Sequence, residues 1–263
     1  MTEPLYLGGA TGYDQLFAQV TRSFLPALLN AARIAPGHRV LDVATGTGVA
    51  AEAASRLVGS DGEVVAGDVS SSMLDVARRN LKDTPIKLEL FDGHALPFPD
   101  RRFDRVICQM GLQFFDDPAR GLAEFRRVLA AGGRSAVAVN STPERSLFTR
   151  IGTVIGRHAP AKAEMLNRYA SIRTPERLRS LLSGAGFGDV EVRSELRDFS
   201  FTSFDDYFSG TAAGAGISGQ EYVRLPDDLR TVVRNEVRHS FPDGGSRRPF
   251  VVEMEVLIGS GQK

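Results

Sequence analysis

The 263-residue chain has a single cysteine, which excludes an intramolecular disulfide framework and suits a reducing compartment. It also has no net charge. Its 32 basic and 32 acidic residues cancel, removing the global field that would draw in nucleic acid or an anionic membrane. No run approaches the ~20 apolar residues needed to cross a bilayer. The segment from Met1 to Tyr13 lacks the charged and apolar regions of a signal peptide, and no fixed-period repeat or low-complexity segment is present. These absences predict a soluble, cytoplasmic protein without a nucleic-acid partner. With 42% hydrophobic residues, the length suffices for one large domain or one domain with an added cap.

What is present centres on Val40-Leu41-Asp42-Val43-Ala44-Thr45-Gly46-Thr47-Gly48-Val49-Ala50-Ala51. A short apolar strand carries an acid near its end, breaks at two glycines, and runs into an alanine-rich helical pattern. Glycines let a backbone approach a bound group closely and adopt positive φ in a strand-to-helix turn. The following helix points its amides and dipole into that turn.

Along the chain, Leu16, Phe17, Val20, Phe24, Leu28 and Leu29 predict a helix within residues 13–35. Strands are predicted at 40–43, 64–67 closing on Asp68, 86–91 ending at Asp92, 104–108 and 135–139. Crossover helices are predicted at 49–58, at 73–81 behind a Ser70 or Ser71 cap, and at 119–129, the last ended by Ala131-Gly132-Gly133. Strands connected by crossovers imply a parallel sheet with helices on both faces and a ligand at the strands' carboxyl ends. Asp42, Asp68, Asp92 and Gln109 fall on that rim.

Gly46-x-Gly48-x-x-Ala51 with Asp68 beyond it also fits a dinucleotide fold, so an NAD-dependent oxidoreductase stays open at this point. A pyrophosphate would be poorly served by Asp42, whereas a ligand with an ammonium group would be well served. That favours a zwitterionic adenosine.

The ordered runs VLDVATGTG, GDVSSSML, FDGHALPFPD, RFDRVICQMGLQFF and FRRVLAAGGR, across roughly residues 36–140, resemble the class I S-adenosylmethionine-dependent methyltransferases. Within them they resemble the small-molecule group that includes the quinone-biosynthesis C-methyltransferases. The resemblance implies a Rossmann-like, doubly wound, mostly parallel seven-stranded α/β sheet with an antiparallel last strand. It implies S-adenosylmethionine as cofactor, with Gly46 and Gly48 lining its methionine part and Asp42 orienting its ammonium. Asp68 would hold the ribose hydroxyls, Met73 would pack near the adenine, and Asp92 would face the adenine amino group with Gly93 and His94 beside it. Gln109 would lie under the methionine moiety, and Ala44, Thr45 and Val69 complete the implied cofactor set. Ala44 departs from the glycine many relatives carry there. A non-catalytic cofactor-binding protein remains the non-enzymatic alternative.

No decisive catalytic base stands out. His94, His158, His239, Tyr13, Tyr169 and Tyr207 qualify only by chemistry, and Cys108 reads as a buried structural thiol. His94 reads as an exposed loop residue. Cys108-Gln109-Met110 and Asn140-Ser141 stand where metal-dependent relatives place carboxylates, so no metal is expected.

The chain reads as one domain, 1–263, with a cofactor-binding core at 36–140 and cap segments at 1–35, 143–173 and 203–245. Cap helices are expected at 147–158, 162–169, 204–210 and 227–241, with a rim helix at 175–182 capped by Thr174, and later strands at 187–201 and 251–258. Gly210 to Gly219 reads as a loose connection rather than a lid hinge. Phe148, Ile151, Tyr169, Phe204, Tyr207 and Phe208 would suit an aromatic or lipid-like small-molecule acceptor, or equally ordinary helix packing.

Overall fold

The computed structural model describes residues 10–147, 149–167, 170–214, 216–246 and 248–263, with side chains from residue 19 onward. Phe148, Tyr169 and the side chain of Tyr13 lie outside the described residues.

Helix α1 (Ala10–Ala32) precedes β1 (Arg39–Val43), α2 (Val49–Val58), β2 (Glu63–Asp68), α3 (Ser71–Asn80) and β3 (Lys87–Leu90). An irregular crossing of residues 91–102 leads to β4 (Phe103–Gln109), α4 (Pro118–Val128) and β5 (Leu129–Asn140). Small hydroxyl and acidic side chains start the helices by accepting otherwise unpaired first-turn amides. Ser70 Oγ accepts from Met73 N, and Asp117 accepts from Arg120 N with Pro118 in the first turn.

After β5 come α5 (Thr149–His158), α6 (Pro160–Asn167), α7 (Pro175–Gly184, capped by Thr174), β6 (Gly188–Phe201), α8 (Phe204–Ala212), α9 (Gly216–Val223), α10 (Asp227–His239) and β7 (Phe250–Gln262). The seven strands form one sheet in the order β3-β2-β1-β4-β5-β7-β6. All neighbours run parallel except β7, which inserts antiparallel to both β5 and β6. The chain leaves β1 toward β2 and β3 and returns to β4 on the other side, so the switch point lies between β1 and β4.

Two segments differ from the sequence expectation. Gly132 does not terminate α4. That helix stops at Val128, and β5 begins at once, pairing Leu129 with Phe103 before a register shift leads to Arg134 opposite Arg105. Gly132, at φ 73°, absorbs the bulge between these pairs. The second difference lies at Gly210 to Gly219, which is helical on both sides of Gly214. Ile217, Ser218 and Gly219 are buried, and a Cβ on Gly219 would lie 2.7 Å from the Gly214 carbonyl carbon. The glycines there permit close packing of α8 and α9.

Strands β6 and β7 outrun the sheet. Asn140, the last residue of β5, pairs with Val256, while β7 begins at Phe250 and stays paired with β6 to Phe201. This two-stranded ribbon projects ~20 Å past the carboxyl end of β5. Phe250, Val252 and Met254 on its inner face join α1, α5, α8, α9 and α10 in one hydrophobic cluster with Val40 of β1 and Ala50 of α2. The cap is therefore continuous with one face of the sheet. The opposite face, with α4 and α7, forms a second cluster around Phe125, Leu178 and Leu182.

Phe204 anchors the cap, stacking on Phe208 at 5.5 Å and meeting Phe250 edge-on at 5.8 Å, with no exposed area. Phe204→Ala is expected to lower stability by about 3–5 kcal/mol. Denaturant titration checks this as a lower midpoint with an unchanged slope in a single transition.

Candidate active site

The turn after β1 is built on a buried acid. Asp42 has no exposed area, and the Thr45 hydroxyl donates to its Oδ2 at 2.6 Å, while Oδ1 has no partner. Burial pushes the Asp42 carboxyl up to about 7; nearby Asp68 adds to the rise, and the Thr45 hydroxyl and Ala51 amide oppose it. A buried carboxyl so placed is neutral or paired with a cation.

The two loop glycines have different roles. Gly46 and Gly48 both have positive φ, 55° and 92°. A Cβ on Gly48 would lie 2.6 Å from Leu81 Cδ1, whereas one on Gly46 would meet nothing within 4 Å. Gly48 serves packing against the end of α3, and Gly46 faces open space. Gly48 is also the cap residue of α2 and makes no side-chain cap bond to the amides of the first turn. Asp68 ends β2 and clamps the loop, accepting from Gly46 N and Ser70 N, both at 2.9 Å. Its burial pushes the carboxyl upward, and these amide bonds pull it back.

The remaining expected residues take distinct positions. Val69, beside Asp68, is 62% exposed, while Met73 is only 2% exposed and packed inside. Asp92 projects outward and accepts from His94 N at 2.8 Å and His94 Nδ1 at 2.7 Å. Burial alone would raise its carboxyl, but the His94 contacts outweigh that and hold it below the usual range.

His94 is not the exposed loop residue expected. Its side chain is 18% exposed, its Nε2 accepts from Asp117 N, and its ring lies 4.8 Å from Phe115. Because Nε2 accepts an N–H, the neutral ring carries its proton on Nδ1 and donates it to Asp92. His94 thus ties the β3 loop to the start of α4. A cavity of about 320 Å³ lies beyond it, lined by His94, Ala95, Leu96, Arg120, Ala123 and Glu124, and shares no residue with the glycine turn. Gly93 is held close against Phe115, where a Cβ would lie 2.3 Å from the ring.

Gln109 ends β4, 8% exposed. Its Nε2 donates to Thr21 O of α1 at 3.4 Å, and its Oε1 has no partner. Asp42 pairs in register with Ile107, so Gln109, two residues further on, projects to the same face.

The other titratable candidates are occupied or remote. Tyr207 is buried and donates to Leu147 O, and burial pushes its phenol far up. His158 pairs with Glu236, and His239 is exposed at the end of α10. Cys108 is buried and its thiol is raised by burial, then by Asp42. Among the described residues, no group of three or more His, Cys, Asp or Glu is placed to hold a metal ion, and no helix is long and apolar enough to cross a membrane.

Two rim residues have no binding role assigned from sequence, Gln113 and Asn140, the latter read only as the absence of a metal-binding carboxylate. Gln113 is buried on the turn Leu112–Phe114 and accepts the Asn140 N–H at 2.7 Å. A polar residue closing an apolar strand at the ligand-bearing end was the available signal for Asn140.

The comparisons with known proteins bear on the family and the fold. The methyltransferase domain family matches residues 40–133. The chain is 35% identical over 199 residues to the demethylmenaquinone methyltransferase of Clavibacter sepedonicus, spanning 70% of this chain and 77% of that protein. It is 34% identical over 197 residues to the ubiquinone/menaquinone biosynthesis C-methyltransferase UbiE of Cellvibrio japonicus, spanning 69% and 79%. Phosphoethanolamine N-methyltransferase 2 of Haemonchus contortus, solved with phosphomonomethylethanolamine and S-adenosylhomocysteine, shares the fold, with a TM-score of 0.62 over 99% of this chain and 59% of that one at 16% identity.

The fold and sequence together define a class I S-adenosylmethionine-dependent methyltransferase, and the chain belongs to that family. Within it, the chain groups with the small-molecule enzymes like the quinone C-methyltransferases. The NAD-dependent reading of the glycine spacing falls away.

The alanine that departs from the family pattern has a structural counterpart. Ala44 sits at φ 58°, and a Cβ on Gly111 would lie 2.4 Å from the Ala44 Cβ and 2.9 Å from Cys108 Sγ. Gly111→Ala is therefore expected to destabilise by about 1–3 kcal/mol through overpacking. Adding Ala44→Gly restores part of the loss, because it relieves one clash and leaves the other; a thermal-melt double-mutant cycle measures the coupling, and strict additivity would refute the contact.

Proposed function

We infer that the turn after β1 holds the amino-acid end of S-adenosylmethionine and that the chain delivers its methyl group to a small aromatic or lipid-like acceptor. The observation carrying this reading is the pair of buried, unpartnered oxygens, Asp42 Oδ1 and Gln109 Oε1, beside the open space at Gly46. Buried acceptors are rarely left unpaired, and a carboxylate and an amide carbonyl on one face suit an ammonium group. The residues therefore fit the cofactor.

In this reading, Asp42 and Gln109 accept from the cofactor's ammonium, and Gly46 with the first amides of α2 leaves room for its methionine portion. Asp68 accepts from the ribose hydroxyls while holding the loop. The exposed Val69, rather than the packed Met73, offers the apolar surface for adenine, with Asp92, Gly93 and His94 at the adenine edge. Ala44 and Thr45 set the shape of the turn.

S-adenosylmethionine supplies an electrophilic methyl on a sulfonium. The chain supplies position and dryness, which are worth ~7–11 kcal/mol where alignment is good. No described histidine or tyrosine is poised as a base, so the acceptor's own atom would be the nucleophile and a proton it loses on methylation would pass to solvent. Residues 1–263 act as one domain, with 36–140 holding the cofactor and 1–35, 143–173 and 203–245 closing over the acceptor. An aromatic acceptor draws support from the quinone chemistry in the relatives' names, and the balanced charge disfavours nucleic acid. A cytoplasmic setting is compatible with the single buried cysteine.

Calorimetry with S-adenosylmethionine, S-adenosylhomocysteine and NAD tests the reading, and NAD binding without binding of the other two would sink it. The pH dependence carries a further expectation. Free Asp42 holds its proton up to about 7, well above its ordinary value of 3.8, so the folded free protein binds more protons than the unfolded chain between those values. Its contribution to stability therefore falls as pH rises through that window. A cation beside Asp42 needs the ionised form, so S-adenosylhomocysteine affinity should rise with pH and level off above about 7. Asp42→Asn should flatten that slope and weaken binding by about 1–3 kcal/mol. A slope unchanged in the variant would remove Asp42 from the site.

The glycines separate by readout. Gly46→Ala should impair cofactor binding with a melting loss equivalent to about 1–2 kcal/mol, the left-handed penalty alone. Gly48→Ala should lower the melting temperature further because it also strikes Leu81. Equal melting losses in the two variants would contradict the division.

A further inference from the structure

Three of the buried side-chain atoms without a partner among the described residues are carboxylate or amide oxygens: Asp42 Oδ1, Gln109 Oε1 and Asn140 Oδ1. All three close adjacent strands, β1, β4 and β5, at the carboxyl rim. They also share a face. Asp42 registers with Ile107, two residues before Gln109; Gln109 registers with Ala138, two residues before Asn140. Side chains two apart on a strand lie on the same side, so the three form a staircase rising ~7 Å per step from the glycine turn toward the cap. Val256, opposite Asn140 in register, belongs to the cluster that joins this face to the cap helices.

The first two steps are taken by the cofactor in the reading above, on which this inference rests. Asn140 lies one strand further and two residues higher, on the side where the cap closes. Its main-chain N–H is held by Gln113, and the side chain is 4% exposed. Its neighbour Ser141 faces the other way, and its hydroxyl donates to Glu255 at 2.6 Å. An unpaired side-chain oxygen is therefore not a general feature of this strand end.

We propose that Asn140 is the acceptor-binding residue of this enzyme, its side-chain carbonyl receiving a hydrogen bond from a hydroxyl on a hydroxylated aromatic acceptor. An amide does not ionise, so it orients the acceptor's hydroxyl and polarises the O–H without removing the proton. It also rejects an acceptor in which that hydroxyl is masked, since a site built to pair with an O–H leaves a buried oxygen unpaired when the donor is missing.

The test uses Asn140→Leu, similar in size and without polar atoms, with Asn140→Ala as a second variant if leucine does not accumulate. Both should bind S-adenosylhomocysteine as the unaltered protein does, and Asn140→Leu should melt no lower, since it removes a buried, unsatisfied group without leaving a cavity. On protein loaded with S-adenosylhomocysteine, a dihydroxynaphthalene should bind at least about tenfold tighter than its dimethyl ether, and the variants should reduce that preference below about twofold. A lower melting temperature of Asn140→Leu would make Asn140 structural, and weaker S-adenosylhomocysteine binding by either variant would assign it to the cofactor. No preference for the diol in the unaltered protein, or one that survives in the variants, would also overturn the proposal. If the unaltered protein does not bind S-adenosylhomocysteine, the cofactor reading fails instead, a result separate from any of these.

Discussion

The site depends on a carboxyl placed where water cannot reach it. Asp42 lies under the glycine turn with one oxygen bonded to Thr45 and the other unpaired. Removing a carboxylate from water is costly, and the cost is met by protonation or by a nearby cation. The surrounding architecture keeps this condition in force: α1 covers the face, the turn stacks on β2 through Thr45 N to Gly67 O, and Asp68 fastens the turn to the start of α3. In the proposed function a cationic ligand would complete the arrangement, so that recognition of the cofactor and relief of a buried, unpaired acid would be one event.

Strained backbone supports the same place. Ala44, Gly46, Gly48 and Met110 all take positive φ within the two loops at the switch point. Non-glycine residues rarely adopt that conformation, and here two of them, Ala44 and Met110, directly follow the strands carrying Asp42 and Gln109. Sharp reversals let both side chains end their strands at the rim. The contact of Ala44 with Gly111 links the loops, so the identity of one residue constrains the other.

The cap is organised on a different principle. It is seated on the projecting ribbon of β6 and β7, and its rings of Phe204, Tyr207, Phe208, Phe241 and Phe250 pack on one another. The aromatic residues that invite reading as an acceptor pocket are consumed in holding the cap together. The sheet, by contrast, keeps buried polar atoms without a partner among the described residues, Asn140 Oδ1 among them.

The sequence by itself determined the alternating framework, the glycine turn and the order of the acids along the rim. Each of these is local: strand apolarity, caps such as Ser70 and Thr174, and glycine φ are set by neighbours within a few residues. Tertiary structure decided what depends on residues distant in the chain. Gly46 and Gly48 look alike in sequence, and only Leu81 separates the glycine that faces open space from the packing one. Gly210 to Gly219 reads as loose until α8 and α9 bring their backbones together. His94 is a loop histidine until Asp117 occupies its Nε2. Asn140 shares a face with Asp42 and Gln109 only through the registers of β1, β4 and β5, which set side-chain direction across strands far apart in the chain.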